Sequence, residues 1–354
     1  MAVNLVKKYH NKLVQSLEYA TNLAGKTTNE YRLDGSEGIY LTSLLPQSLN
    51  NYSKSGTSRY GSPAEMQNAQ QYIAWDYDKS YAITVDKSNY QDGGYLSTAG
   101  AVIQEQNEAI VAPFVEQNFY ARMAENAGSG GGSGTAISSS NIMSRIVAAE
   151  AAFRNGGIPK ADRYLAIGTT LFQLIRQSLT NCDTVTDKML LKGVVGKIGT
   201  LNVLEVADAD LPTGVNFIAW QKKAALKAFD INDAKAHQDP PGINGILVEL
   251  RVRGVAAVIR KYAAGVYVDC IAYGSSGTNQ LQAPGVSNAG AITINGSADY
   301  VMYTLDGSDP RTSMTAVKIT SGKTPTHTAG DVIKAVGYKD GKVISAVTST
   351  ATTS

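Results

Sequence analysis

The sequence is poor in the residues that most often bind metals or form disulfides. Among 354 residues there are two cysteines, Cys182 and Cys270, and three histidines. Neither cysteine has a second cysteine or a histidine at metal-ligand spacing, and two cysteines cannot form a disulfide framework. We therefore expect both thiols to be reduced and buried, and we expect no bound metal or cofactor.

Charge and long hydrophobic runs are also scarce. Charged residues make up 18% of the chain and the formal net charge is +2, which argues against a strongly basic nucleic-acid-binding protein. No apolar stretch is long enough to span a membrane. Lys7, Lys8 and Lys12 are not followed by the apolar segment of a secretory signal. We expect a cytoplasmic protein with these lysines on a solvated helix face.

The composition is otherwise that of a folded protein with extensive contacts. Hydrophobic residues make up 43% of the chain, and the length suits about two or three domains. Tyrosine outnumbers phenylalanine 19 to 6. Because tyrosine can be buried on one side and hydrated at its hydroxyl, this bias favours protein interfaces.

The first third of the chain combines one helix with a long segment that has no regular period. The N-terminal helix is amphipathic, with one apolar face formed by Leu5, Val6, Tyr9, Leu13, Leu17 and Ala20. Residues 21–71 show no sustained periodicity. Since so long an unstructured loop is unusual inside a compact domain, we expect an extended arm that packs on another molecule.

The next elements predicted are a hairpin and a long helix. Residues 72–85 alternate in polarity around a turn at Asp76–Ser80, which predicts a hairpin. After the break at Asp92–Gly94, the pattern predicts a helix over 98–126 that is kinked at Pro113. Its two apolar stripes, Ile103, Ile110, Phe114 and Ala121 against Val115, Phe119 and Met123, indicate that both sides are covered.

The middle of the chain predicts mixed helices and strands. Gly128–Gly134 is typical of a flexible connector. Ser140 or Asn141 can cap a following helix, and a second helix is expected near Lys222–Phe229. These elements do not repeat as βαβ units, so the pattern favours an α+β fold. The other expected elements are strands at 164–167, 216–220, 246–259 and 265–271, a helix at 169–178, a hairpin at 194–206 and a turn at 239–242.

Residues 284–354 change character. Short β-branched runs separated by turn residues predict a small all-β sandwich after a polar, glycine-rich boundary. Within it, Tyr303–Ser313 reads YTLDGSDPRTS and groups two carboxylates, a hydroxyl and an arginine. Asp306-Gly307 followed by Asp309-Pro310 predicts a turn, because glycine accepts positive φ and aspartate bonds its own backbone. A calcium loop would need further oxygen ligands and a distal carboxylate.

Other candidate sites are weak. Ala20–Thr27 fits a relaxed phosphate-loop pattern, but a helix precedes it and no helical period follows, whereas such a loop leaves a strand and opens a helix. His10, His237 and His327 are far apart, in a solvated helix face, a helix-to-turn segment and a sandwich loop, without a metal partner four residues away. We therefore predict no catalytic, cofactor-binding or metal-binding residues and no enzyme activity.

Two resemblances add to this interpretation. YTLDGSDPRTS is similar to the signature of the chitobiase C-terminal-like, immunoglobulin-like β-sandwich, a non-catalytic accessory domain. Residues 1 to about 272 resemble a tailed-bacteriophage major capsid protein of the Hong Kong-97 fold. The segments that carry this likeness are Tyr81–Lys87 with Asp92–Gly94, Ala109–Ala124, Ile158–Ile175, Gly196–Val206 and Asp239–Glu249, in that order.

The capsid resemblance implies a domain plan. It comprises an N-terminal helix and arm at 1–71, an extended loop at 72–92 and peripheral and axial domains at 93–272 with a spine helix at 98–126. A linker at 273–283 would lead to a decoration domain at 284–354 on the outer surface. We expect this last domain to be an independent unit, so its deletion should leave assembly intact.

The same resemblance implies a function and partners. The chain would self-assemble as pentamers and hexamers into the icosahedral head of a tailed phage around double-stranded DNA, touched only by weak, non-specific contacts. Its partners would be other copies of itself, a separate scaffold protein, the portal and auxiliary head proteins, with no membrane. Two alternatives stay open: a shell of the encapsulin type that encloses an enzyme, and a cell-surface carbohydrate-binding protein suggested by the sandwich.

Overall fold

The computed structural model describes residues 23–28, 30–31, 37–47, 49–63, 65–87, 99–180 and 196–353. The helix predicted near the N-terminus, His10, Cys182 and the glycine pair at 93–94 lie outside these residues. The helices are α1 Ala99–Gln106, α2 Ala112–Glu125, α3 Ile142–Asn155 and α4 Thr169–Thr180. The strands are β1 Gly38–Leu44, β2 Asn68–Ala74, β3 Tyr77–Asp86, β4 Ser129–Ser133, β5 Arg163–Gly168, β6 Lys197–Ile198, β7 Leu201–Val206, β8 Val215–Gln221, β9 Ala225–Gln238, β10 Gly245–Val258, β11 Val266–Ile271, β12 Gly285–Val286, β13 Ile292–Thr293, β14 Tyr300–Thr304, β15 Val317–Ile319, β16 Val332–Tyr338 and β17 Thr348–Ala351.

Two strands form a ribbon inside the segment that was expected to be an arm without structure of its own. β1 pairs antiparallel with β2 from Gly38 opposite Ala74 to Leu44 opposite Asn68. The described parts of the connection, 45–47, 49–63 and 65–67, contain no helix or strand. The expectation of a segment without structure of its own over 21–71 is therefore wrong for 38–44 and 68–71. We refer to residues 38–74 as the ribbon.

The hairpin predicted over 72–85 is also wrong. β3 pairs with β10, which pairs on its other side with β9, so β2 and β3 belong to different sheets. Asp76 explains the change of partner: its backbone N–H donates to Gly254 O at 3.1 Å, and its carboxylate accepts from Ala256 N at 2.9 Å.

The helix expected near Lys222–Phe229 is also wrong. Residues 222–224 form a 3-10 turn and 225–238 form β9.

The predicted long helix is present and has a defect near its middle. α1 and α2 are joined by a π-helical segment, Asn107–Val111, which ends two residues before Pro113. Pro113 cannot donate a backbone hydrogen bond, and a π turn absorbs the interruption without ending the helix. Val115, Phe119 and Met123 are buried, whereas Ile110 on the other stripe is 59% exposed. We refer to 99–125 as the long helix.

A six-stranded sheet forms the centre of the molecule, in the order β4-β11-β8-β5-β7-β6. Helices α3 and α4 cover one face, where Ile146 and Phe153 pack in one cluster with Leu165 and Phe217. The end of the long helix packs in a second buried cluster, which we call the central core. In it the Phe119 and Trp220 rings are 5.5 Å apart in an edge-to-face arrangement.

The glycine-rich segment is a strand of this sheet and not a flexible connector. β4 runs parallel to β11 with Gly130 opposite Val268. A Cβ atom on Gly130 would lie 2.1 Å from the Val268 carbonyl oxygen, and φ at Gly130 is +87°. The composition therefore reflects close backbone packing as well as conformational freedom.

The C-terminal region is all-β, as the sequence predicted. It contains the two-stranded sheet β12-β13 and the four-stranded sheet β15-β14-β16-β17. Ile292, Val301, Tyr303 and Ile333 belong to a core of its own. This core agrees with the expected independent unit, but other residues of the region are buried in the central core, as described below.

Candidate assembly surfaces

The base of the ribbon is fixed to the body of the protein. Leu41 and Ile73 point inward and belong to a buried cluster with Leu226 and Val255. The Gln71 side chain donates to Val258 O and accepts from the amide of Arg260, each at 2.8 Å. The ribbon is thus anchored at its base by both apolar and polar contacts.

The outer face of the ribbon carries exposed aromatic and aliphatic side chains. Tyr40 and Tyr72 lie opposite each other in the strand register, with ring centroids 4.9 Å apart, and are 66% and 47% exposed. In the connection, the rings of Tyr52 and Tyr60 are 5.2 Å apart. Leu49 is fully exposed. The ribbon therefore carries most of the exposed large apolar side chains of the described residues, namely Tyr40, Leu44, Leu49, Tyr52, Tyr60, Met66 and Tyr72.

Clustered exposed apolar and aromatic side chains characterise surfaces that contact other proteins. A two-stranded ribbon with so little burial of its own is marginally stable in water without a covering partner. The tyrosine bias noted in the sequence is thus partly explained, because four tyrosines lie on this one element.

A second apolar surface lies where the π turn faces the three-stranded sheet. A groove of about 250 Å³ is bounded by Tyr81, Ile110, Phe114, Leu250 and Val252. The Phe114 ring meets the Tyr77 ring edge to face at 5.3 Å. Ile110 and Phe114 belong to the less buried apolar stripe of the long helix, and this stripe therefore faces the groove.

The opposite face of the three-stranded sheet carries charges of both signs. Arg251 makes two hydrogen bonds to the Asp78 carboxylate, at 2.9 and 2.6 Å. These bonds hold the pKa of Asp78 below its usual range. His237, which lies on β9 and not in a helix-to-turn segment, is 3.5 Å from Glu249. The alternation of signs gives a polar, mixed-charge surface without a strong net field.

The YTLDGSDPRTS segment is a turn, as predicted. The amide and hydroxyl of Ser308 both donate to Asp306 Oδ1, at 3.0 and 2.6 Å. These bonds lower the pKa of the Asp306 carboxyl. Gly307 adopts φ of +72°. The sequence did not reveal the role of Arg311, which donates to Gly130 O at 3.1 Å while Asp309 holds its guanidinium.

The phosphate-loop-like segment packs on the core. Of Ala20–Thr27, the described residues begin at Leu23, which is fully buried. The Trp220 indole donates to Lys26 O at 3.0 Å, and Thr28 N donates to Ala225 O at 2.8 Å. No helix follows within the described residues up to 47, so the arrangement lacks the helix N-terminus that a phosphate loop requires.

The described histidines and cysteine do not come together. His327 Nδ1 contacts Pro325 O at 2.9 Å, and His237 lies on the three-stranded sheet. Cys270 is buried, and burial raises the pKa of its thiol to about 12. Within the described ranges there is no group of three or more potential metal ligands, and no helix is long and apolar enough to cross a membrane. His10, Cys182, Lys7, Lys8 and Lys12 lie outside those ranges.

No known family profile matches the sequence, and no curated protein matches it by sequence. Solved structures do match. A chain from Mycobacterium phage Che8 is 17% identical, with the alignment covering 76% of this chain and 98% of that chain at a TM-score of 0.63. The capsid structure of the cyanophage P-SCSP1u gives 14% identity, coverage of 76% and 93%, and a TM-score of 0.62. The mature capsid of bacteriophage PhiM1 gives 10%, 76% and 92%, with a TM-score of 0.56.

At these identities the likeness establishes the fold. The chain has the α+β fold of phage capsid proteins, as the sequence resemblance implied. Because more than nine-tenths of each neighbour is covered, this chain contains the fold of the whole neighbouring chain and not of a fragment of it.

Proposed function

We propose that the chain is the major capsid protein of a tailed bacteriophage. Copies would associate as pentamers and hexamers into an icosahedral head that encloses double-stranded DNA. The observation that carries the proposal is the match over nearly the full length of chains from phage capsids. The role is structural, and we assign no catalytic, metal-binding or cofactor-binding residue.

The parts of the capsid plan are assigned to the elements of this chain. We assign the extended loop to the ribbon, residues 38–74, instead of 72–92, because the ribbon is a paired, exposed element that carries aromatic and aliphatic side chains on its outer face. The long helix with the sheet β3-β10-β9 forms the peripheral domain. The sheet that contains β5 and β8, with α3 and α4, forms the axial domain.

Shell formation would account for the exposed apolar side chains of the ribbon. A closed shell needs contacts between unlike surfaces of neighbouring copies. The ribbon supplies an exposed aromatic surface that would be covered by the next subunit. A scaffold protein, a portal and auxiliary head proteins are the further partners we expect in the virion and during its assembly in the host cytoplasm.

Electron microscopy tests the proposal directly. The full chain, expressed alone and with a candidate scaffold protein, is studied by negative staining and light scattering. Closed shells or curved sheets of pentamers and hexamers are expected in at least one preparation. A monomer in both would contradict the proposal and restore a carbohydrate-binding surface protein as the leading alternative, which a glycan array then tests.

The contents of the particles separate the two kinds of shell. A phage head isolated from its native host holds nuclease-protected double-stranded DNA. A shell of the encapsulin type would hold a protein cargo and little DNA. Finding an enzyme as the main content would contradict the phage assignment while leaving the shell fold intact.

A further inference from the structure

The C-terminal domain, residues 284–353, is packed into the core of the body. Its side chains lie in the same buried cluster as the end of the long helix and Trp220. The five side chains that it contributes to this cluster are each no more than 6% exposed. Removing the domain would therefore uncover apolar surface on both sides of the contact. The residues it contributes are Met302, Val336, Tyr338, Val343 and Ile344.

Polar contacts join the same domain to the end of the long helix. The Ile344 amide donates to the Ala124 carbonyl at 3.3 Å, and the Gly341 amide donates to Glu125 Oε1 at 2.7 Å. Asp340 accepts from Arg122 at 3.1 Å. The last four carbonyls of a helix lack partners within it, so the Ile344 contact satisfies one of them.

A third contact reaches the glycine-rich strand. Arg311 donates to Gly130 O, and its side chain is only 13% exposed. Asp309 accepts from Arg311 Nε at 3.0 Å and from Nη2 at 2.7 Å, which fixes the plane of the guanidinium. β4 is an edge strand and consists of glycine and serine alone, so it has few side-chain contacts to hold it in place. We refer to Arg122, Ala124, Glu125 and Gly130 as the docking face.

The connection between body and domain is also ordered by hydrogen bonds. Leu281 N donates to Val343 O at 3.0 Å, and the Tyr273 amide donates to Gln280 Oε1 at 3.1 Å. In this stretch the residues that combine exposure with a turn conformation are Tyr273, Gly274, Ser276 and Gly277. The contact pattern is that of a permanently docked domain and not of a module on a flexible tether.

We propose that the C-terminal domain stabilises the capsid body of its own subunit by docking on this face, fixing the end of the long helix and the strand β4. Its function is then intramolecular reinforcement, and it is not a detachable outer decoration. This inference concerns the subunit itself and holds whether or not the shell role proposed above is correct.

Cleavage of the connection tests the proposal without unfolding either part. A specific protease site is inserted between Ser276 and Gly277 in the full chain, and the folded protein is cut and passed over a sizing column. We expect the two fragments to elute together after dilution. Separate elution of two folded fragments would overturn the proposal.

Hydrogen exchange with a matched pair of variants tests the polar contact. In Arg311→Ala we expect the amides of 122–134 to exchange about 5- to 30-fold faster, as loss of a one- to two-kcal/mol contact implies. Lys323→Ala, which removes a positive charge from an exposed position of the same domain, should leave them unchanged. Protection of 332–338 shows whether the domain itself stays folded.

The outcomes are separable from those of the shell proposal. Unchanged exchange at 122–134 in Arg311→Ala, with 332–338 still protected, would overturn the stabilising role of the arginine. If Arg311→Ala unfolds the domain, we expect the amides of 122–134 to exchange faster all the same. Unchanged exchange in that case would also overturn the proposal. Neither result depends on whether particles form.

Discussion

Glu125, in the last turn of the long helix, accepts a hydrogen bond from the backbone N–H of Gly341 at 2.7 Å. The same carboxylate lies 2.7 Å from Arg122 Nη1 and is almost entirely buried. Arg122 also meets Asp76 at 3.1 Å, so one guanidinium joins the residue before β3, the long helix and the C-terminal domain. Burial nevertheless raises the pKa of both Glu125 and Asp76, because the loss of hydration destabilises the charged forms more than the attraction to Arg122 stabilises them.

The raised pKa of Glu125 gives stability a pH dependence that Glu125→Gln should remove. A folded-state pKa above the unfolded value contributes stability below the ordinary value of 4.5 and loses it as pH rises through the folded value. We therefore expect the free energy of unfolding of the wild type to fall, relative to Glu125→Gln, as pH rises from the ordinary value of 4.5 through the folded-state pKa. Urea unfolding of both proteins across this range measures it. A relative gain for the wild type would show that attraction to Arg122 outweighs burial.

Gly130→Ala should destabilise the protein strongly. A Cβ there would meet the Val268 carbonyl oxygen at 2.1 Å, and the backbone has φ of +87°. We expect a loss of about 2–4 kcal/mol in the free energy of unfolding. Gly134→Ala is the matched control, since a Cβ at Gly134 meets nothing within 4 Å. Similar small effects of both substitutions in urea unfolding would contradict the packed-strand description of β4.

Elements set by local sequence were predicted well. The long helix, β5, β8 and the turn at Asp306 agree with the structure within a few residues. Each depends on signals close in the chain, such as apolar periodicity, or aspartate and glycine at turn positions. The same applies to the fold, because several short segments in a fixed order resemble those of capsid proteins.

Elements set by distant contacts were missed. Residues 225–229 have helix-forming alanines and a lysine, yet they pair with 254–258 in β9 and β10, and tertiary pairing overrides a weak intrinsic preference. Gly128–Gly134 looks like a linker until Val268 is placed beside Gly130. The buried contact of Ile344 with the long helix joins positions more than 200 residues apart, and no local pattern could reveal it.

Cys270 should be unreactive in the folded protein. The thiolate is the reactive form, and burial raises the pKa of this thiol to about 12. Asp269 beside it further disfavours the negative charge. In a Cys182→Ser variant, which leaves Cys270 as the sole cysteine, we expect no labelling by a thiol reagent at pH 8 under native conditions and complete labelling in denaturant. Comparable rates in both conditions would contradict the burial of Cys270.

Leu49→Asp should impair assembly without affecting the folded subunit. Leu49 is fully exposed in the isolated chain, so an aspartate there costs the monomer little. If the ribbon is covered by a neighbouring copy, the substitution removes about 1.5–3 kcal/mol of apolar burial per contact. The protein concentration needed for assembly should then rise about tenfold or more, as light scattering measures.

Asn51→Asp is the control for charge, because it adds a carboxylate to the same exposed connection without removing an apolar side chain. It should assemble nearly as the wild type does, and both variants should unfold at the wild-type urea concentration. Equal loss of assembly in the two variants would assign the effect to repulsion between ribbons. Normal assembly of Leu49→Asp would show instead that the apolar end of the ribbon is not part of the contact between subunits, and the aromatic pair of Tyr40 and Tyr72 would become the next position to test.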